Sequence, residues 1–140
     1  MERPEKTADG QRMAVGLRAS VMMPVGPEHT ARHLGSGQRD VLATPVLVAW
    51  MESAAQLAVA ASLPPTHQTV GTGLDITHHA ATPVGMPVTV YAELRSFDKH
   101  QLVFDVRAED AGGAIAQGQH IRMLASTASL DRMLRKKQGG

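Results

Sequence analysis

A carboxylate stands in the middle of the most apolar stretch of this chain. Glu52 is flanked by Trp50, Met51, Ala54 and Ala55. An unpaired charge held in such surroundings costs several kcal/mol, or the group takes up a proton. Carboxyls are kept in such places where they pair or work. The ordinary alternative is a narrow polar stripe, shared with Ser53 and Gln56, that faces solvent. Thr44, earlier in the same run, offers a hydroxyl that serves either as a helix cap or as a second reacting group. On a regular helix the two residues lie on neighbouring faces, about 12 Å apart along the axis. They share one site only if the first turn is distorted, a reacting group lies between them, or two subunits build the site. His78 and His79 stand in a strand-like segment, so they point to opposite faces and at most one serves a given site.

Several chemistries find no support. His29 and His33 have a spacing that could hold a metal on a helix, yet no carboxylate stands near them at a recognised spacing, and Gly35 marks a loop. HExxH and CxxC motifs are absent, so no metal and no cofactor are expected. With no cysteine, disulfides and thiolate chemistry are excluded, which fits a reducing compartment. Gly35-Ser36-Gly37 lacks the spacing of a serine nucleophile elbow, and Gly71-Thr72-Gly73 is too short for a phosphate loop. Two glycines inside a strand do signal the close approach of another backbone or a ligand. Basic residues number 14 against 13 acidic, without the clustered excess of a nucleic-acid binder.

The elements that must carry these residues follow from pattern. Thr44-Pro45 starts a helix, with the hydroxyl at the N-cap and proline at the first helical position. It runs from Val46 to Ala61 and stops at Leu63-Pro64-Pro65. Being apolar nearly all round, it is expected to be buried nearly all round. No apolar stretch is expected to span a bilayer, and the polar N-terminus lacks a secretory signal, so the expected location is the cytoplasm. Strands are expected from Leu17 to Met23, Thr69 to His79, Val88 to Arg95, Leu102 to Glu109 and Ala114 to about Leu124. In the third and fourth, Val88, Val90, Ala92 and Leu94, then Leu102, Phe104, Val106 and Ala108, alternate with polar residues. The stretch from Glu28 to Val41 reads as a loop, and Thr127 to Lys137 as a short terminal helix. Residues 1–12 and 136–140 read as flexible tails around one domain over 13–135. One long helix followed by an antiparallel meander is an α+β layout, and a sheet of about five strands wrapped around a central helix, the hotdog fold, satisfies it.

These residues also carry a resemblance. The segments Thr30-Ala31-Arg32-His33-Leu34, Ala43-Thr44 with Met51-Glu52, Gly71-Thr72 before Ile76-Thr77-His78, and Ala80-Ala81-Thr82-Pro83 with Gly85 occur in order. Val88-Thr89-Val90, Ala92-Glu93-Leu94-Arg95-Ser96, and then Gly118, His120 and Arg122 complete the series. Together they resemble the fluoroacetyl-CoA thioesterase family of hotdog enzymes. The resemblance implies a metal-free homodimer, with sites at the dimer interface, that acts on the thioester of coenzyme A or an acyl carrier protein. Thr44, Glu52 and His78 match the family's catalytic residues. Gly71 matches the glycine whose N–H polarises the thioester carbonyl, and Arg122 an arginine near the site. The family's fluoroacetyl enzyme carries phenylalanines just before the helix, and residues 35–41 here have none, so the resemblance extends to thioesterase chemistry and not to fluoroacetyl specificity. The basic run from Arg132 to Lys137 would either meet coenzyme A phosphates or stay solvated. A hotdog hydratase or dehydratase, or a non-catalytic acyl-CoA binding protein, would share the fold.

Overall fold

The two clearest alternations become two inner strands of one sheet. The computed structural model describes residues 13–139; the expected N-terminal tail, residues 1–12, lies outside the described residues. The elements are β1 (Arg18–Pro24), a 3-10 turn (Pro27–His29), α1 (Ala31–Leu34), α2 (Thr44–Val59), a second 3-10 turn (Ala60–Ser62), β2 (His67–His78), β3 (Pro87–Asp98), β4 (Gln101–Asp110), β5 (Gly113–Ser126) and α3 (Thr127–Lys137). The strands form one antiparallel sheet in the order β1-β3-β4-β5-β2. Val88, Val90, Ala92 and Leu94 of β3, and Leu102, Phe104, Val106 and Ala108 of β4, all point inward and are buried. They pack against Leu47, Met51, Ala54 and Ala55 of α2. A long helix laid on a five-stranded antiparallel sheet is the hotdog arrangement that the pattern implied.

Three expectations need correction. The sheet covers α2 on one side only: Leu47, Met51, Ala54, Ala55 and Val59 are buried, while Leu57 is 55% exposed and Pro45 and Ala49 are open. One layer of strands cannot surround a helix, so its second apolar face is left without cover among the described residues. Next, the run Thr44–Ser62, α2 with its terminal 3-10 turn, is long and apolar enough by composition to cross a bilayer. Its packing against the sheet marks it as the core helix, which passes the same test. The stretch after Glu28 is not plain loop. Pro27 opens a 3-10 turn, the Thr30 hydroxyl accepts from His33 N–H (3.1 Å) to cap α1, and Gly35 closes it at φ 79°. The terminal helix expected from Thr127 to Lys137 is present over those residues as α3.

Two glycines on paired strands, one on inner β5 and one on edge strand β2, differ in what they permit. A Cβ on Gly118 of β5 would collide with the backbone of Asp75 and Ile76 on β2. One on Gly73 would meet only the Ile121 side chain, at 3.6 Å, an ordinary contact. We expect Gly118→Ala to cost about 1–3 kcal/mol or more, as overpacking does, and Gly73→Ala to cost clearly less. Urea midpoints of the two variants check this; equal losses would contradict the packing.

Candidate active site

β2 and α2 meet at a bulge. The β2–β5 register shifts between Gly71 and Gly73, so that Gly71 faces Arg122 and Gly73 faces Ile121, with Thr72 as the extra residue. Bulges of this kind re-aim groups beside active sites. A Cβ on Gly71 would collide with Oε2 of Glu52. Glycine is therefore what lets the helix carboxylate lie against the strand, the close approach that the paired glycines signalled. Glu52 is not on the solvent stripe of Ser53 and Gln56: its side chain is 40% exposed and turned towards the sheet.

Arg122 holds it there. This guanidinium, almost wholly buried on the inner face of β5, donates Nη1–H to Glu52 Oε2 at 3.1 Å. Its Nε–H goes to Thr69 Oγ1 at 2.8 Å and its Nη2–H to the Thr69 carbonyl at 3.0 Å. The planar fork is fixed on both sides, as arginine geometry allows and lysine geometry does not. Burial draws the Arg122 pKa down from its usual value, and the Glu52 charge and hydrogen bond oppose that shift. Arg122 therefore aims the carboxylate, with its hydrogen bonds directed into the protein. His120, two residues earlier on the same face of β5, also touches this arginine (Nη1 to Nε2, 3.1 Å). Neither His120 nor Thr69 stands out in the sequence as a site residue; the signal for His120 is its two-residue spacing from Arg122 on one strand.

Thr44 and His78 form a second, separate pair. Ala43 is the N-cap of α2 and Thr44 its first residue, so the hydroxyl does not cap the helix. It meets His78 Nδ1 at 2.7 Å instead. In either tautomer this leaves Nε2 as the nitrogen that can act, and Nε2 is buried with no hydrogen-bond partner among the described residues. Desolvation lowers the His78 pKa below 6.5, the Ala80 backbone opposes that shift, and the neighbouring His79 adds to it. His79 lies just past the end of β2 and is exposed, with its backbone N–H bonded to the Ile115 carbonyl at 2.8 Å.

Within one chain the two groups stay apart. Thr44 and Glu52 are separated by about 12 Å of helix rise, and Gly71 and His78 by roughly 20 Å of strand. A cleft of about 520 Å³ opens between α2 and the start of β2, lined by Ser53, Gln56, Leu57, Leu63, Gln68 and Thr69, with Glu52 outside its lining. A larger hollow of about 830 Å³ lies on the opposite face of the sheet, among Arg18, Tyr91, Asp105, Arg107 and Gln119, and none of Thr44, Glu52, Gly71, His78 or Arg122 lines it. Of the two, the cleft has Thr69, a partner of Arg122, in its lining. His29 is engaged structurally: Nδ1 accepts from Gly26 N–H at 2.9 Å and the ring meets Trp50 edge-on. Among the described residues no group of three or more His, Asp or Glu is placed to hold a metal ion.

A family model described as fluoroacetyl-CoA-specific thioesterase matches residues 25–128. The fluoroacetyl-CoA thioesterase of Streptantibioticus cattleyicolor is 37% identical over 135 residues, spanning 92% of this chain and 96% of that protein. A point mutant of the fluoroacetyl-CoA-specific thioesterase FlK, crystallised with fluoroacetate and CoA, superposes with a TM-score of 0.80 at 37% identity, covering 84% of this chain and 99% of that one. A thioesterase superfamily member from Thermus thermophilus gives 0.84 at 25% identity, covering 90% and 93%.

Both site histidines have folded pKa values below 6.5, chiefly through desolvation. The unfolded chain therefore takes up these protons first as pH falls. Their contribution to stability is complete above pH 6.5 and is lost as pH drops below it. Thermal midpoints measured from pH 7.5 down to 5.5 should fall, and fall less steeply in His120→Gln. An equal slope in that variant would contradict the assignment.

Proposed function

The chain belongs to the fluoroacetyl-CoA-specific thioesterase family, and from that premise we propose that it hydrolyses acyl-CoA thioesters at a site built from Thr44, Glu52 and His78. The observation that carries this reading is Glu52 itself, a half-exposed carboxylate fixed by Arg122 over Gly71. Thioester hydrolysis needs a nucleophile, a donor for the developing oxyanion and a proton for the departing thiolate. Glu52 attacks the carbonyl carbon directly or takes a proton from the attacking water. The Gly71 N–H stabilises the oxyanion. His78 Nε2 delivers the proton to the thiolate sulfur as the C–S bond breaks, and Thr44 orients the imidazole through Nδ1. In the direct route, water then cleaves the mixed anhydride formed on Glu52. Arg122 acts by aiming Glu52. Only two phenylalanines are present, Phe97 on β3 and Phe104 on β4, so none stands ahead of α2; the reading is therefore hydrolysis of a small or medium acyl thioester, without a claim to fluoroacetyl specificity.

The working unit in this reading is a homodimer. β2 is a twelve-residue edge strand, and exposed edges of that length are normally paired or covered. The open side of α2, with Leu57, asks for the same cover. Two-fold pairing along β2 would bring Thr44 and His78 of one copy towards Glu52 of the other, which joins the two separated groups. A cytoplasmic setting belongs to this reading and rests on the cysteine-free composition.

Release of free thiol from short acyl-CoAs, followed with a thiol reagent, tests the activity. Glu52→Gln should stay folded and lose on the order of 10²–10⁴ in kcat; near-normal turnover in the folded variant would sink the assignment. His78→Ala should lose activity severely and His79→Ala only mildly, because it is His78 that Thr44 holds. Equal losses, or the reverse order, would refute the choice between them.

A further inference from the structure

We propose that His120 is a positioning residue for hydrolysis, locking the β2 bulge and the Arg122–Glu52 pair into one rigid unit; its catalytic part rests on the thioesterase reading. The hydrogen bonds determine the state of its ring. Nδ1 lies 2.8 Å from the Gly73 carbonyl, which can only accept, so Nδ1 carries the proton. Nε2 lies 3.1 Å from Arg122 Nη1, which can only donate, so Nε2 is bare. The imidazole is neutral, in a single tautomer, with both nitrogens used. It is 2% exposed and lies against Phe104 of β4, with centroids 6.3 Å apart.

The charged groups facing it are Arg122 from its own strand and Glu52 from α2, whose Oε2 is 3.9 Å from Nε2; β2 presents the Gly73 carbonyl and β4 the uncharged Phe104. Desolvation and Arg122 oppose protonation, while the Gly73 carbonyl and Glu52 favour it, and the net shift is downward. What this arrangement does follows from where its two bonds end. One holds the carbonyl just after the extra residue of the bulge, and so sets the turn of backbone that carries Gly71. The other draws Nη1 of Arg122 to the point from which it also reaches Glu52. His120 thus couples the position of the oxyanion donor to that of the carboxylate, and does so from behind both. A group so placed touches no substrate and acts through its neighbours.

Two near-isosteres separate the bonds. His120→Asn keeps a donor at the Nδ1 position and no acceptor for Arg122; His120→Gln keeps an acceptor at the Nε2 position and loses the bond to Gly73. Each should fold, lower kcat by on the order of tenfold to 10²-fold, as small misplacements at a reacting centre do, and leave KM within about threefold. In a Glu52→Gln background His120→Asn should reduce residual turnover no further, because it acts through that carboxylate. Folded single variants with unchanged kcat, or additive losses in the double variant, would overturn the proposal. Nitrogen-15 NMR of the ring at pH 7 is an independent arm: the neutral Nδ1–H tautomer is expected, and an Nε2–H or doubly protonated ring would overturn it. A wild-type chain that releases no thiol yet shows that tautomer refutes the thioesterase reading alone, with His120 still the residue that fixes Glu52.

Discussion

The contact between Arg122 and Glu52 is the constraint on which the rest of this structure turns. It joins the core helix to an inner strand, and it does so at the one place where β2 bulges. A nearly buried guanidinium is costly to desolvate unless its donors are matched. Here Thr69 satisfies two of them, and Glu52 and His120 share the third nitrogen. Removing one partner of a buried pair typically costs about 3–5 kcal/mol; with Glu52 40% exposed, solvent would soften that loss. The pair is better understood as a device for placement. It demands glycine at position 71, because any Cβ there would strike the carboxylate.

The same pin has a consequence at the scale of the fold. A carboxylate held over Gly71 cannot travel along α2 to the Thr44–His78 pair of its own chain. The sheet also leaves one side of α2 and the whole outer edge of β2 uncovered. In the proposed homodimer, a second copy related by a two-fold axis would answer the chemical need and the packing need together. In this account assembly is part of the active site.

Much of this was legible in the residues. The alternation of β3 and β4 reported the inward face correctly, because a one-residue slip would have exposed every core side chain. Glu52 announced itself by its apolar neighbours, and Gly71 and Gly73 by standing in a strand. Other features were invisible for physical reasons. Thr44 fits the pattern of an N-cap, but the cap falls one residue earlier, at Ala43, and the freed hydroxyl meets His78 from a distant strand. Leu57 looks like core in any helical projection, yet one sheet cannot cover both sides of α2. Hydrophobic pattern reports what a chain buries in its working assembly, so the exposed half of α2 reads as buried. The role of His120 depends on a cross-strand register, which period alone does not supply. Pro27, Thr30 and Gly35 hold the signals for the short helical turns before α2, but spread over too few residues to show a period.

The central claim, that a complete site takes Glu52 from one copy and Thr44 with His78 from the other, can be tested by mixing two inactive proteins. Glu52→Gln and His78→Ala variants, unfolded together and refolded at equal ratio, would form mixed dimers in which one site carries both lesions and the other carries none. Thiol release should then recover to about a quarter of the wild-type rate, as expected when random pairing makes half the two-fold dimers mixed. A mixture that exchanges subunits yet stays as inactive as either variant alone would contradict the account, because it would place all three residues of each site on one chain.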